Sequence, residues 1–113
     1  MNIKLKEKDG VAVCYVSGEV NLSTAAELKK VFKKIVEKKT RKVLLELGGV
    51  GYIDSSGLAT LIDLAKNLKA FQGIVFMANL SPKVSSIFSI TKLDRVFKIF
   101  DTEEEGLKNF YGY

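Results

Sequence analysis

Residues 54–57, Asp-Ser-Ser-Gly, place a carboxylate and two hydroxyls where an apolar strand is predicted to give way to a helix. Unpaired amide N–H groups and the positive end of the dipole favour negative charge at a helix N-terminus. Asp54 or Ser55 can cap the helix, which these residue types do routinely. A serine here can also accept a phosphoryl group, whose charge of about −1.5 to −2 the N–H groups can hold. The turn is therefore a candidate binary switch on protein binding.

Enzymatic chemistry has little support elsewhere in the chain. Histidine is absent, which excludes serine–histidine and cysteine–histidine mechanisms and the commonest metal ligand. The glycine-rich segment 48–51 lacks the lysine of a phosphate-binding loop, and no serine lies in a nucleophile-elbow motif. The single cysteine, Cys14, lies in an apolar run and is predicted to be a buried, inert thiol. We expect no catalytic residues, no metal site and no cofactor.

Length and composition predict a single domain over residues 1–113. The content of 47% hydrophobic and 27% charged residues is that of a globular protein with a real core. No apolar run approaches the roughly 20 residues of a membrane span, and the N-terminus lacks the apolar region of a secretory signal. We therefore expect no membrane span and a cytoplasmic location.

The net charge of +5 is carried mainly by lysine, because Arg41 and Arg95 are the only arginines. Sequence-specific reading of bases relies on arginine, and single-strand binding relies on aromatic rings interleaved with basic residues. Neither pattern is present. We interpret the basic excess, including the lysine-rich face of the first predicted helix, as solvated surface, and expect no direct nucleic-acid binding.

Hydrophobic periodicity predicts the element order β-β-α-β-α-β-α-β-α. Asp9-Gly10 predicts a hairpin turn, and 48–51 is read as a glycine-rich turn before the second helix. The predicted strands cover 3–8, 11–17, 43–47, 74–78 and 96–100. The first predicted helix begins at Ser23 or Thr24, and the other three cover about 56–70, 82–90 and 103–110. Gly112-Tyr113 is the predicted end of the last helix. This alternation predicts an α/β fold with about four helices and a mostly parallel sheet of about five strands, antiparallel at its N-terminal edge.

Capping signals mark three of the helix starts. Thr24 with Glu27 and Thr102 with Glu105 have the spacing of capping boxes. Ser81 precedes Pro82, which is favoured at the first helical position.

Three segments together resemble the STAS domain, and more narrowly the stand-alone bacterial anti-sigma factor antagonists. They are Gly18-Glu19-Val20-Asn21 with Thr24-Ala25, then Asp54-Ser55-Ser56-Gly57-Leu58, then Asn79-Leu80-Ser81-Pro82-Lys83-Val84. The second segment is the most specific, and the resemblance covers essentially the whole chain.

The resemblance implies a binding module rather than an enzyme. Its partner would be an anti-sigma factor with serine kinase activity, which uses ATP and Mg²⁺ to phosphorylate Ser55. The unphosphorylated chain would bind that factor and release the sigma factor, and a metal-dependent serine phosphatase would restore this form. Asp54, Ser56 and Gly57 match the flanking motif positions and are predicted to contact the partner.

Asn21 and Thr24 are predicted as secondary partner-binding residues. The family commonly has aspartate where this chain has Asn21, which keeps the size and hydrogen bonding of aspartate without its charge.

Two alternatives remain open from the sequence. One is a STAS-like accessory subunit of a membrane transporter or larger signalling assembly, which would bind through the same surface without phosphorylation. The other is a small serine-dependent enzyme, which would need an activating base such as lysine.

Overall fold

A single five-stranded sheet forms the centre of the protein in the computed structural model, which describes residues 1–111. The strands lie in the sheet in chain order, β1 antiparallel to β2 and the other neighbours parallel. They are β1 (Asn2–Lys8), β2 (Val11–Val20), β3 (Lys42–Ile53), β4 (Ile74–Ala78) and β5 (Lys98–Phe100). The predicted α/β fold with an antiparallel N-terminal edge is confirmed.

Four α-helices and one 3₁₀ turn connect or follow these strands within the described residues. They are α1 (Ala25–Glu37), α2 (Ser55–Lys69), α3 (Pro82–Ile90), the 3₁₀ turn Leu93–Arg95, and α4 (Glu103–Lys108). Each parallel crossover advances by one strand in the same direction, so crossovers of one hand put α1, α2 and α3 on the same face of the sheet. The short α4 packs on the opposite face.

The two faces have separate cores. The larger lies between the sheet and α1–α3, and the smaller lies under α4. In the smaller core the rings of Phe76 and Phe110 stack with centroids 4.2 Å apart. Cys14 belongs to the larger core, where burial raises the pKa of its thiol to about 12, so the prediction of a buried thiol is confirmed.

A charged contact fixes α4 to the first two strands. The Glu103 carboxylate accepts hydrogen bonds from Lys8 Nζ and Tyr15 Oη, each at 2.6 Å. Burial raises the pKa of Glu103, but these two hydrogen bonds outweigh burial and the pKa lies below its ordinary value. The first residue of α4 is thereby tied to residues remote in sequence.

The Asp9-Gly10 hairpin is confirmed. Both residues have positive φ, 52° and 79°, as a two-residue turn of the favoured type I′ requires.

The prediction of a glycine-rich turn at 48–51 is wrong, because these residues continue β3 to Ile53. The strand pairs there with residues 17–20 of β2, with two register shifts. A Cβ on Gly49 would lie 2.5 Å from Ser17 Cβ, so glycine permits the close approach of the two strands. The glycines therefore mark strand contacts rather than a turn.

Several predicted boundaries also need correction. The last strand begins at Lys98 rather than 96, because Val96 N–H bonds to Leu93 O in the 3₁₀ turn. Helix α4 ends at Lys108 rather than 110, and the stop at Gly112-Tyr113 lies outside the described residues. The Thr102 cap is confirmed by a 3.1 Å bond from Glu105 N–H to Thr102 Oγ1.

Candidate functional site

The site is built where β2 and β3 end together. Their pairing continues to Val20 and Ile53, so the β2–α1 loop and the β3–α2 turn leave the sheet side by side. Asp54 N–H donates to Val20 O at 3.0 Å and extends this pairing by one residue. The predicted ends of these strands, at 17 and 47, are wrong, and the extensions to Val20 and Ile53 bring the predicted site residues together.

Asp54 links the loop to the helix. Its Oδ1 accepts from Gly57 N–H at 2.9 Å, which caps α2, and its Oδ2 accepts from Leu22 N–H at 3.1 Å. Of the two predicted capping residues, Asp54 is therefore the cap. Since each carboxylate oxygen serves a different segment, Asp54 also fixes the loop against the N-terminus of α2.

Ser55 is the first residue of α2 and its side chain is exposed. Among residues 1–111, its hydroxyl has no hydrogen-bond partner. The amide N–H groups of Ser55 and Ser56 belong to the first helical turn, which leaves them without partners inside the helix. An exposed hydroxyl thus lies beside two free donors at the positive end of a 15-residue helix.

Gly57 is buried, and the close packing around it favours glycine. A Cβ at this position would lie 2.7 Å from both Ile53 Cγ2 and Val20 Cγ1 and 2.9 Å from Val20 O. Helix α2 therefore starts in direct contact with the ends of β2 and β3. Ser56 is half-buried beside it, and its carbonyl accepts from Thr60 Oγ1 at 2.9 Å.

Asn21 organises the loop before α1. Its Oδ1 accepts from the N–H groups of Ser23 and Thr24 at 2.9 and 3.1 Å. The oxygen used is one that aspartate also has, so the uncharged residue preserves this loop geometry.

The predicted Thr24–Glu27 capping box is wrong. Thr24 is the N-cap residue but makes no side-chain cap bond. Its hydroxyl instead donates to Glu19 O at 2.8 Å and accepts from Asn21 N–H at 3.0 Å. The Thr24 hydroxyl therefore bonds to the preceding loop rather than to the first turn of α1, and its role is to fix the shape of that loop.

Sequence reasoning missed the apolar surface beside the serine. Leu22 is 78% exposed in the loop that Asp54 holds, and Tyr52 is 40% exposed at the end of β3. Lys83 Nζ lies 5.3 Å from the centroid of the Tyr52 ring. The sequence contained one signal for this surface, because Leu22 lies between the turn-forming residues Asn21 and Ser23. A leucine in a short polar loop is not expected to be buried in the core, so it indicates an exposed contact residue.

The described residues also bear on metal binding and on membrane crossing. Residues 1–111 hold no group of three or more acidic, cysteine or histidine side chains arranged to bind a metal ion. Within the same residues, no helix has both the length and the apolar character needed to cross a membrane.

The family match and the named relatives, together with the fold, place the chain among small α/β regulatory binding proteins rather than enzymes. The STAS domain profile matches residues 2–106, and the chain belongs to the STAS family.

Similar proteins carry names from one branch of that family. A Bordetella bronchiseptica protein named as an anti-sigma factor antagonist is 30% identical over 97% of this chain and 95% of its own length. The anti-sigma-B factor antagonist of Listeria monocytogenes is 28% identical over 93% of each chain. A solved Thermotoga maritima structure, also named as an anti-sigma factor antagonist, superposes with a TM-score of 0.89 at 30% identity and covers 95% of this chain and 92% of that one.

Proposed function

We propose that this chain is an anti-sigma factor antagonist switched by phosphorylation of Ser55. The unphosphorylated form binds an anti-sigma factor that is also a serine kinase, and this binding releases the sigma factor. Phosphorylation of Ser55 ends the interaction, and a serine phosphatase restores it. The proposal takes residues 1–113 as one domain acting in the cytoplasm.

The observation that carries this proposal is the environment of Ser55. Its hydroxyl is exposed and unpaired within residues 1–111, so a kinase can reach it without disturbing the fold. Each oxygen of the neighbouring Asp54 carboxylate accepts from a backbone N–H group, and among residues 1–111 no hydrogen bond joins Asp54 to the Ser55 hydroxyl. The hydroxyl is therefore suited to be modified by a partner rather than to attack a substrate.

The same geometry supports a local electrostatic mechanism for the switch. A phosphate on Ser55 would add a charge of about −1.5 to −2 beside the Asp54 carboxylate. The free N–H groups of Ser55 and Ser56 can hold that phosphate, so the fold need not change. The surface around Ser55, which has one carboxylate before modification, then becomes strongly anionic. Burial of this anionic surface against the partner would cost several kcal/mol, as like-charge contacts do in protein interfaces.

The partner surface is proposed to centre on the Ser55 turn and the two exposed apolar residues next to it. Leu22, in the loop that Asp54 holds, and Tyr52, near the end of β3, offer exposed apolar contact area. Asp54 and Gly57 act by holding this surface in shape, and Ser56 is accessible enough for direct contact. This division of roles refines the predicted set of partner-binding residues.

Asn21 and Thr24 are proposed to act indirectly. Both side chains are engaged within their own loop, so their replacement should change affinity by moving Leu22.

The test is binding of three variants to the anti-sigma factor of the same host, measured by isothermal titration calorimetry. Ser55→Ala should bind as tightly as the unphosphorylated parent, and Ser55→Asp at least tenfold more weakly, the factor that corresponds to about 1.4 kcal/mol. Ser89→Asp is the matched control, since it adds the same charge at an exposed serine near the C-terminal end of α3, and it should bind like the parent. Equal affinity of Ser55→Ala and Ser55→Asp would refute the switch and favour an accessory subunit that binds without phosphorylation.

A further inference from the structure

The positive charge of the chain is concentrated in helix α1 and the five residues after it. Residues 25–42 contain eight lysines and arginines and two glutamates, a net charge of +6, whereas the other 95 residues carry −1. The exposed lysines of this helix and its C-terminal turn are Lys29, Lys30, Lys33, Lys34, Lys38 and Lys39. A surface that serves solubility alone works best with both signs interspersed, so this segregation points to an anionic partner.

The lysines of α1 are also left unneutralised by the fold. Neither ion pair within residues 1–111 involves α1. Lys29 and Lys33, and likewise Lys30 and Lys34, are four residues apart, a spacing at which like charges repel and destabilise a helix. A bound anionic segment would relieve this repulsion.

A groove of about 560 Å³ runs between α1 and α2 beside these lysines. Lys29, Lys33 and Glu37 line its α1 side, and Asp63 and Asn67 line its α2 side. Apolar atoms contribute to its walls through Phe32, Val36 and Leu64. The groove therefore has apolar atoms in its walls, and two lysines line the N-terminal part of its α1 rim, before Glu37.

We propose that α1 and this groove bind an acidic amphipathic segment of a partner protein, at a surface separate from the Ser55 turn. Acidic side chains of the segment pair with the lysines of α1, and its apolar side chains fill the groove. The groove begins at Thr60, more than one helical turn along α2 from Ser55. This surface is therefore distinct from the turn that carries Ser55.

Other polyanions fit this surface less well. The apolar residues Leu28, Phe32 and Ile35 of α1 are buried in the core, so the helix has no apolar face to insert into a bilayer. Within residues 25–42, Arg41 is the sole arginine and Phe32 the sole aromatic residue, and Phe32 is buried, so base reading and base stacking lack their usual groups.

The test is an NMR titration of the ¹⁵N-labelled protein with a synthetic helical peptide that has glutamates on one face and leucines on the other. Saturable amide shifts are expected at the groove residues Lys29, Lys33, Asp63 and Asn67. The affinity should fall when salt rises from about 0.1 to about 1 M, which shortens the Debye length from about 10 to about 3 Å.

A charge-matched pair of variants makes the test specific. Lys29→Gln/Lys33→Gln should weaken peptide binding roughly tenfold, since two charge pairs are lost at a partly desolvated rim. Lys4→Gln/Lys6→Gln removes the same charge from exposed positions on β1 and should change the affinity less than about twofold, as rim charges remote from a contact do. All four replaced lysines are exposed, so the fold should be retained.

Four results would overturn the proposal. They are no saturable shifts with the peptide, shifts centred on residues 52–58, equal binding of a peptide with serine in place of every leucine, and tighter binding of phosphatidylserine vesicles or single-stranded DNA than of the peptide. The third would show a general attraction of polyanions, and the fourth would assign the surface to a different class of ligand.

Discussion

Replacement of Asp54 by alanine should separate the β2–α1 loop from the start of α2. The change removes both acceptors at once, the one used by Gly57 N–H at 2.9 Å and the one used by Leu22 N–H at 3.1 Å. It leaves the backbone of the turn, including the bond from Asp54 N–H to Val20 O, in place. The predicted effect is therefore a defined loss of stability and loop order rather than unfolding.

The expected loss is about 2 kcal/mol. Removal of an N-cap side chain costs about 1 kcal/mol. The Leu22 bond contributes about 1 kcal/mol more, below the range for buried charged partners because Asp54 is half-exposed. For a domain of this size, a loss of about 2 kcal/mol lowers Tm by roughly 8 °C.

Urea unfolding and amide hydrogen exchange measure the two parts separately. The midpoint should fall with an unchanged m-value, and the Leu22 amide should exchange much faster than in the parent. Asp54→Asn is the informative intermediate, because one amide oxygen can cap α2 while its NH₂ group faces the second N–H. It should lose about half as much stability as Asp54→Ala.

Asp63→Ala is the matched control, since it removes an exposed carboxylate from the same helix. A change within about 0.5 kcal/mol is expected there, as for surface substitutions in general. A loss below about 0.5 kcal/mol for Asp54→Ala, or unaltered exchange at Leu22, would show that Asp54 does not hold the site together.

Three further predictions follow from buried or paired groups. Gly57→Ala should cost about 1–3 kcal/mol in urea unfolding because its Cβ meets neighbouring atoms, whereas Gly51→Ala, which meets nothing within 4 Å, should be nearly neutral. The pKa of Glu103 in the folded protein lies below its ordinary value of 4.5, so the ionised carboxylate stabilises the fold at any pH above 4.5. This stabilisation is lost as the pH falls through the lower pKa of the folded protein. The stability deficit of Glu103→Gln at pH 7 should therefore shrink in acid. Cys14, with its pKa raised to about 12 by burial, should resist alkylation in the native protein and react in urea; rapid native labelling would contradict its burial.

Periodicity and turn chemistry were sufficient to predict the element order and the antiparallel edge. Alternation in residues 3–8, the Asp9-Gly10 turn and the apolar strands all follow from local rules, and the structure obeys them. The extension of β3 through 48–51 could not be read in this way. Glycines that permit close strand contact have the same composition as glycines in a turn, and only the partner strand distinguishes them.

The site was predictable in its residues more than in its connections. The position of Asp54 and Ser55 at a helix start follows from residue types and spacing, and the structure confirms that Asp54 caps α2. The bond from Leu22 N–H to Asp54 spans 32 residues, so no local pattern contains it. The reversal of Thr24 from a cap to a loop contact likewise depends on where Glu19 O lies after folding.

The most direct test of the central claim is the site of phosphorylation. The protein is incubated with the anti-sigma factor kinase of the same host and Mg²⁺-ATP, and intact mass and peptide mapping then locate the product. One phosphate on Ser55, none on Ser56, and loss of the complex with the kinase are the predicted results. An unmodified Ser55, or a complex that survives its phosphorylation, would contradict the account.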